Sequence, residues 1–106
     1  MKATIWHNPR CSKSREALAN LNQAGAEVTI VEYLKSPPTR EELARVYARA
    51  GIAPRAALRA DAPRVADDEA ALDLMARDPA TIERPVVETA KGALLARPPE
   101  RVRDLL

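Results

Sequence analysis

The sequence predicts one α/β domain over residues 1–106, a mixed four-stranded sheet built as βαβ then ββα and flanked by helices. Three observations predict it. A strand-forming segment, a helical stripe and a second strand-forming run follow one another at the N-terminus. A capping sequence opens another helical stripe in the middle, and two apolar runs separated by a glycine-bearing turn come near the end. At 106 residues, 46% of them apolar, the chain fits a single core and leaves no room for a second. A domain of this size folds without disulfides or a structural metal.

The first strand is Ala3–Trp6, where Thr4, Ile5 and Trp6 favour extended backbone, and it stops at His7-Asn8-Pro9. From Ser12 to Ala24 the apolar residues Ala17, Leu18, Leu21 and Ala24 recur at helical spacing, and Gly25 stands where a left-handed terminator belongs. The β-branched run from Val28 to Tyr33 reads as a strand buried on most of both faces. Strand, helix, strand makes a right-handed crossover, so the two strands are expected to lie parallel with the helix on one face.

Pro37-Pro38 breaks the chain, and Thr39-Arg40-Glu41-Glu42 is a capping box that opens a helix with Leu43, Val46, Tyr47 and Ala50 on one stripe and Gly51 as its end. Between Ile52 and Val65 no period stands out, although Pro54 opens a short helix through Arg59. Asp67-Asp68 starts a third helix, with Ala71, Leu72 and Met75 inward and Asp78-Pro79 as its stop. Val86–Thr89 and Ala93–Ala96 form a hairpin across Ala90-Lys91-Gly92, and Pro98-Pro99 opens a last helix that docks through Val102, Leu105 and Leu106. This order of elements is that of the thioredoxin-like fold.

Composition excludes several functions. The 17 Lys and Arg nearly balance 15 Asp and Glu, and three aromatic residues, Trp6, Tyr33 and Tyr47, give no stacking platform, so nucleic-acid binding is not expected. One cysteine and one histidine cannot make a zinc cluster or an internal disulfide. No apolar stretch reaches signal-peptide or membrane-spanning length, so the expected location is the cytoplasm, with no membrane partner.

Cys11 directly precedes the first turn of a helix, where unpaired amides and the positive end of the dipole favour a thiolate. Arg10, Lys13, Arg15 and His7 are expected to add positive charge. The alternative, a buried cysteine acting as a small hydrophobe, conflicts with its polar neighbours Pro9-Arg10-Cys11-Ser12-Lys13-Ser14. The same helix start is an anion cradle. A phosphatase loop of the Cys-x5-Arg type fails because position 17 is Ala17, and a dithiol fails because the Cys-x-x-Cys slot ends in Ser14. Any redox cycle then draws its second thiol from outside. His7 reads equally as a general base, a hydrogen-bond partner of the loop, or a polar residue satisfying local amides. Among the arginines, Arg59, Arg84 and Arg97 stand apart: the first follows an apolar run, the others sit at chain breaks beside prolines, where planar forks suit a tetrahedral oxyanion.

These residues resemble the glutaredoxin-dependent arsenate reductases of the ArsC type. The resemblance spans nearly the whole chain. It rests on His7-Asn8-Pro9-Arg10-Cys11-Ser12-Lys13-Ser14-Arg15, Tyr33-Leu34-Lys35-Ser36-Pro37-Pro38-Thr39, Gly51-Ile52 with Arg55-Ala56-Ala57-Leu58-Arg59, Glu83-Arg84-Pro85-Val86-Val87, and Leu95-Ala96-Arg97-Pro98. It implies that Cys11 attacks arsenate, that Arg59, Arg84 and Arg97 hold the oxyanion, and that His7, Asn8, Ser14 and a cis Pro85 support the site. It further implies that glutathione resolves the thiol–arsenic adduct and glutaredoxin reduces the resulting mixed disulfide so that arsenite leaves. No bound cofactor or metal is expected, and the protein is expected to act as a monomer. The segment between Arg59 and Arg84 is shorter than in well-studied members, a departure that bears on how the site is covered. Two rival readings share Cys11: an Spx-type regulator that binds RNA polymerase, usually through a Cys-x-x-Cys switch, and a glutathione-dependent reductase of another small electrophile.

Overall fold

In the computed structural model, which describes all residues 1–106, strand β1 (Lys2–Trp6) is the hub of the sheet. It pairs parallel with β2 (Glu27–Val31) and antiparallel with β3 (Val86–Thr89), and β3 pairs antiparallel with β4 (Gly92–Leu95). The strand order is therefore β2-β1-β3-β4, a mixed four-stranded sheet. Besides helices α1 (Ser12–Gln23), α2 (Arg40–Ala50) and α3 (Asp68–Arg77) there are 3₁₀ segments at Pro54–Ala57, between α2 and α3, at Pro79–Thr81, between α3 and β3, and at Pro99–Leu105, after β4.

Alternation along β1 explains the two cores. Ala3 and Ile5 face Ala17 and Leu21 of α1, together with Val87, Leu94, Val102 and Leu105. Trp6 faces the other way, into Leu43, Val46 and Tyr47 of α2 and Leu72 and Met75 of α3. Successive side chains of a strand point to opposite faces, so one short central strand nucleates a core on each side. Removing residues such as Ile5 or Leu21 from water contributes about 1.5–3 kcal/mol each.

The helix ends follow local chemistry. After α1, Gly25 at φ 80° lets its amide donate to Asn22 and the next amide, of Ala26, reach back to Leu21, at 3.0 and 3.1 Å. This closing motif needs the left-handed conformation glycine adopts without strain. Thr39 caps α2 by accepting the Glu42 amide at 3.1 Å. The expected box is only half made, because the Glu42 carboxylate turns to Arg45 instead. A guanidinium one turn on offers a charge-assisted partner that a neutral amide does not match. Asp67 caps α3 through the Ala70 amide at 2.8 Å.

Several expectations are corrected. β2 is an edge strand ending at Val31, not a doubly buried strand reaching Tyr33, and Ile30 is 49% exposed. A continuous β-branched run is compatible with either placement, and only the neighbours decide. The segment opened by Pro54 ends at Ala57. Arg59 has left it, its amide donating to Thr81 at 2.9 Å beside the Leu58–Ile82 bridge. The final segment is 3₁₀ rather than α, though Val102 and Leu105 are buried as expected. Smaller shifts put Lys2 in β1, Ala24 at the end cap of α1, and Gly92 rather than Ala93 at the start of β4. No helix is long and apolar enough to cross a membrane.

Candidate active site

The loop after β1 is built around Ser14. His7 prolongs the sheet register through its amide to the Val31 carbonyl at 2.8 Å, and the chain then turns. The Asn8 carbonyl accepts the Cys11 amide at 3.0 Å, while the Asn8 side-chain oxygen accepts the Arg10 amide at 3.0 Å. Arg15 reaches back to the Pro9 carbonyl at 2.9 Å. Ser14, fully buried in the first turn of α1, places its hydroxyl 2.6 Å from His7 Nδ1 and accepts the Asn8 amide at 3.1 Å. One hydroxyl thus ties the strand end, the turn and the helix start together.

Cys11 caps the N-terminus of α1, just before Ser12, in extended conformation. It is 7% exposed, so the sequence argument from polar neighbours did not foresee its burial. Burial raises a thiol's pKa. Here the Ser14 amide, the Arg84 charge, the Lys13 amide and a hydrogen bond from Arg84 outweigh that, and the thiol lies below its ordinary value. The cation responsible is Arg84, not the local ones expected: Lys13 pairs with Glu16 at 3.7 Å and Arg15 is held by Pro9. His7 is buried, and burial, against the pull of Glu32 and with the push of Arg15, lowers its pKa; in the loop its Nδ1 is the hydrogen-bond partner of the Ser14 hydroxyl.

Arg59, Arg84 and Arg97 converge. They line one cleft of about 260 Å³ with Ala60, Asp61 and Glu83. The cleft forms because three chain breaks meet there: Leu58 bridges Ile82, the Glu83 amide donates to Ala57 at 2.9 Å, and the Ala96 amide donates to Pro85 at 2.8 Å. The Arg84–Pro85 and Arg97–Pro98 peptides are both cis. Glu83 pairs with Arg84 at 3.2 Å and Arg97 at 3.4 Å, and Asp61 with Arg59 at 3.4 Å. Arg97 Nε donates to the Arg84 carbonyl at 2.8 Å.

Arg84 is the most enclosed of the three, its side chain 16% exposed against 32% for Arg59 and 37% for Arg97. Its Nε is buried with no hydrogen-bond partner. A buried donor left unpaired costs about 1–3 kcal/mol, more when charged, so the site is poised for an acceptor. An oxyanion supplies several acceptors at once and fits planar forks.

Sequence reasoning missed three residues here. Glu83 and Asp61 are the counterions that position the arginines. Tyr33 is buried, and burial raises its pKa; Arg84, Cys11, the Asn8 side chain and Arg59 all act on its hydroxyl, which therefore stands among the site residues. The available signal is a tyrosine ending a β-branched run, which reads as part of a strand. No cluster of His, Cys, Asp or Glu has the grouping of a metal site.

Known proteins resemble this chain in sequence and fold. The chain is 44% identical to an arsenate reductase of Rhizobium meliloti, over all of this chain and 82% of that protein. It is 39% identical to an arsenate reductase of Escherichia coli K12, over 97% of this chain and 79% of that one. The solved arsenate reductase from Vibrio cholerae superposes with a TM-score of 0.93 at 38% identity, covering 100% of this chain and 98% of that one. The ArsC family model matches residues 6–105, which take in Cys11, the buried Ser14 beside it and all three arginines of the cleft, and the chain belongs to the ArsC family.

Proposed function

We propose that this protein reduces arsenate to arsenite through the Cys11 thiolate. One observation carries the reading: Arg59, Arg84 and Arg97 line one cleft in which the buried Arg84 Nε has no partner, and the same Arg84 charge favours the Cys11 thiolate, so nucleophile and oxyanion site share a group. Arsenate carries As(V), and Cys11 displaces one of its oxygens, which leaves as water once protonated. Arg59, Arg84 and Arg97 hold the remaining oxygens and offset their charge. Reduction to As(III) takes two electrons, which two sulfurs supply in joining as a disulfide.

Cys11 is the chain's single thiol, so the second sulfur comes from solution. Glutathione supplies it, forming a mixed disulfide, and a glutaredoxin dithiol returns Cys11 to its reduced form. Catalysis needs no bound cofactor. Ser14 disfavours a dithiol-switch reading, since its hydroxyl is committed to His7 and Asn8. The test is NADPH consumption with arsenate, glutathione, glutaredoxin and glutathione reductase, which returns the oxidised glutathione to its thiol at the expense of NADPH. Turnover is expected with wild type and lost in Cys11→Ser; no arsenate-dependent consumption in wild type would overturn the proposal.

A further inference from the structure

Next to the arginine cleft lies a second hollow of about 390 Å³, lined in part by Arg55, Arg59, Arg64, Leu58 and Val65. Its volume lies in the ~300–1,000 Å³ range of small-molecule sites. Local structure builds it: the Pro54–Ala57 turn projects Arg55, the Leu58–Ile82 bridge anchors the wall, and a turn closed by the Ala62 amide on the Arg59 carbonyl at 3.0 Å brings Arg64 round. Arg59 lines both hollows, so they adjoin. Arg59, Arg84 and Cys11 all act on the Tyr33 hydroxyl, which keeps the nucleophile in the same neighbourhood.

The charge on this wall is not neutralised from within. Arg59 has Asp61 at 3.4 Å, but no carboxylate pairs with the guanidinium of Arg55 or Arg64, and the nearby Asp68 carboxylate accepts the Arg55 backbone amide instead. Separate unpaired forks beside Leu58 and Val65 select a small peptide-like molecule with more than one carboxylate and some methylene surface.

We infer that this hollow binds the carboxylates of glutathione and thereby presents its thiol to the Cys11 side of the cleft. The inference rests on the proposed arsenate chemistry for its need of an external thiol. An extended tripeptide spans about 10 Å, long enough for its carboxylates to sit in this hollow while its middle residue reaches the adjoining cleft.

Binding and turnover are tested separately on the full chain. S-methylglutathione, which cannot react, is titrated into the protein without arsenate while the arginine Nε–H resonances are followed. Shifts are expected for Arg55, Arg59 and Arg64 and not for Arg103, and the Arg55→Ala/Arg64→Ala variant should bind about fivefold more weakly, as two exposed ion pairs allow. In turnover the same variant should raise the glutathione KM by a similar factor. Its arsenate KM, and its rate with uncharged 2-mercaptoethanol, should stay at wild-type values. Absent shifts at those arginines, or a glutathione KM within about twofold of wild type, would overturn the hollow as the thiol site. The two readings fail separately: binding of S-methylglutathione without any arsenate turnover keeps the hollow and discards the arsenate chemistry, whereas turnover with an unmoved glutathione KM does the reverse.

Discussion

The Ser14 hydroxyl stands 2.6 Å from Nδ1 of His7, inside a loop where it also accepts the Asn8 amide at 3.1 Å. The position that would hold the second sulfur of a dithiol is thereby occupied by the group that shapes the nucleophile's loop. Replacing it leaves a buried ring nitrogen and a part-buried amide unpaired.

Ser14→Ala is therefore expected to cost about 1–3 kcal/mol of stability and to loosen the loop. Thermal unfolding together with amide exchange at Asn8 checks this. An unchanged melting temperature and unchanged Asn8 protection would show that the hydroxyl is dispensable.

Cys11 should titrate below the ordinary thiol value of about 8.5, and Arg84→Ala should move it upward. Thiolate ultraviolet absorbance against pH reads both. The sign for stability follows from the depressed value: the thiolate's contribution is complete above the ordinary thiol pKa and is lost as pH falls through the lowered one. Cys11→Ser should abolish turnover and remove that pH dependence without unfolding the domain. A wild-type midpoint at or above a free thiol's would sink the nucleophile assignment.

Arg84→Lys keeps the charge and loses the fork, and it should lower kcat/KM for arsenate roughly ten- to hundredfold, matching the ~1.5–3 kcal/mol of hydrogen bonds to charged groups. Arg59→Lys and Arg97→Lys, more exposed, should cost less and act mainly on KM. Melting temperatures should barely move. Wild-type kinetics in all three variants would take the cleft out of the reaction.

Thioredoxin as the only reductant should not sustain turnover, because Cys11 is buried and its adduct is reached by a small soluble thiol rather than by the dithiol of another protein. Mass spectrometry after arsenate and glutathione should find a single adduct, on Cys11. Full turnover with thioredoxin alone counts against the glutathione route.

Away from the site, Glu88 binds Arg45 at 2.7 Å and Arg49 at 2.6 Å, joining β3 to α2, and these hydrogen bonds hold its pKa below the ordinary carboxylate value. Glu88→Gln should lower the melting temperature at neutral pH and leave arsenate kinetics intact. The wild-type advantage is full above the ordinary glutamate pKa of about 4.3 and disappears as pH falls through the lowered value. Equal melting temperatures at neutral pH would show the network to be energetically idle.

The sequence by itself determined what depends on neighbours along the chain. Gly25 and Gly51 end helices because the left-handed turn favours them, Thr39 and Asp67 begin helices by accepting amides, and Cys11 meets helix amides because it directly precedes Ser12. Context along the chain also set Arg59, Arg84 and Arg97 apart, and the motif resemblance gave them a role. Tertiary structure alone decided what depends on residues meeting across the fold. It put β2 at an edge, which a β-branched run does not reveal, and turned Glu42 from its box to Arg45. It also made Arg84, remote in sequence, the cation that acts on Cys11, and surrounded Tyr33 with the site. Capping and turn chemistry act within a few bonds and leave local signatures, whereas burial and ion pairing depend on which surfaces packing brings together, and that is set only when the whole sheet closes on its helices.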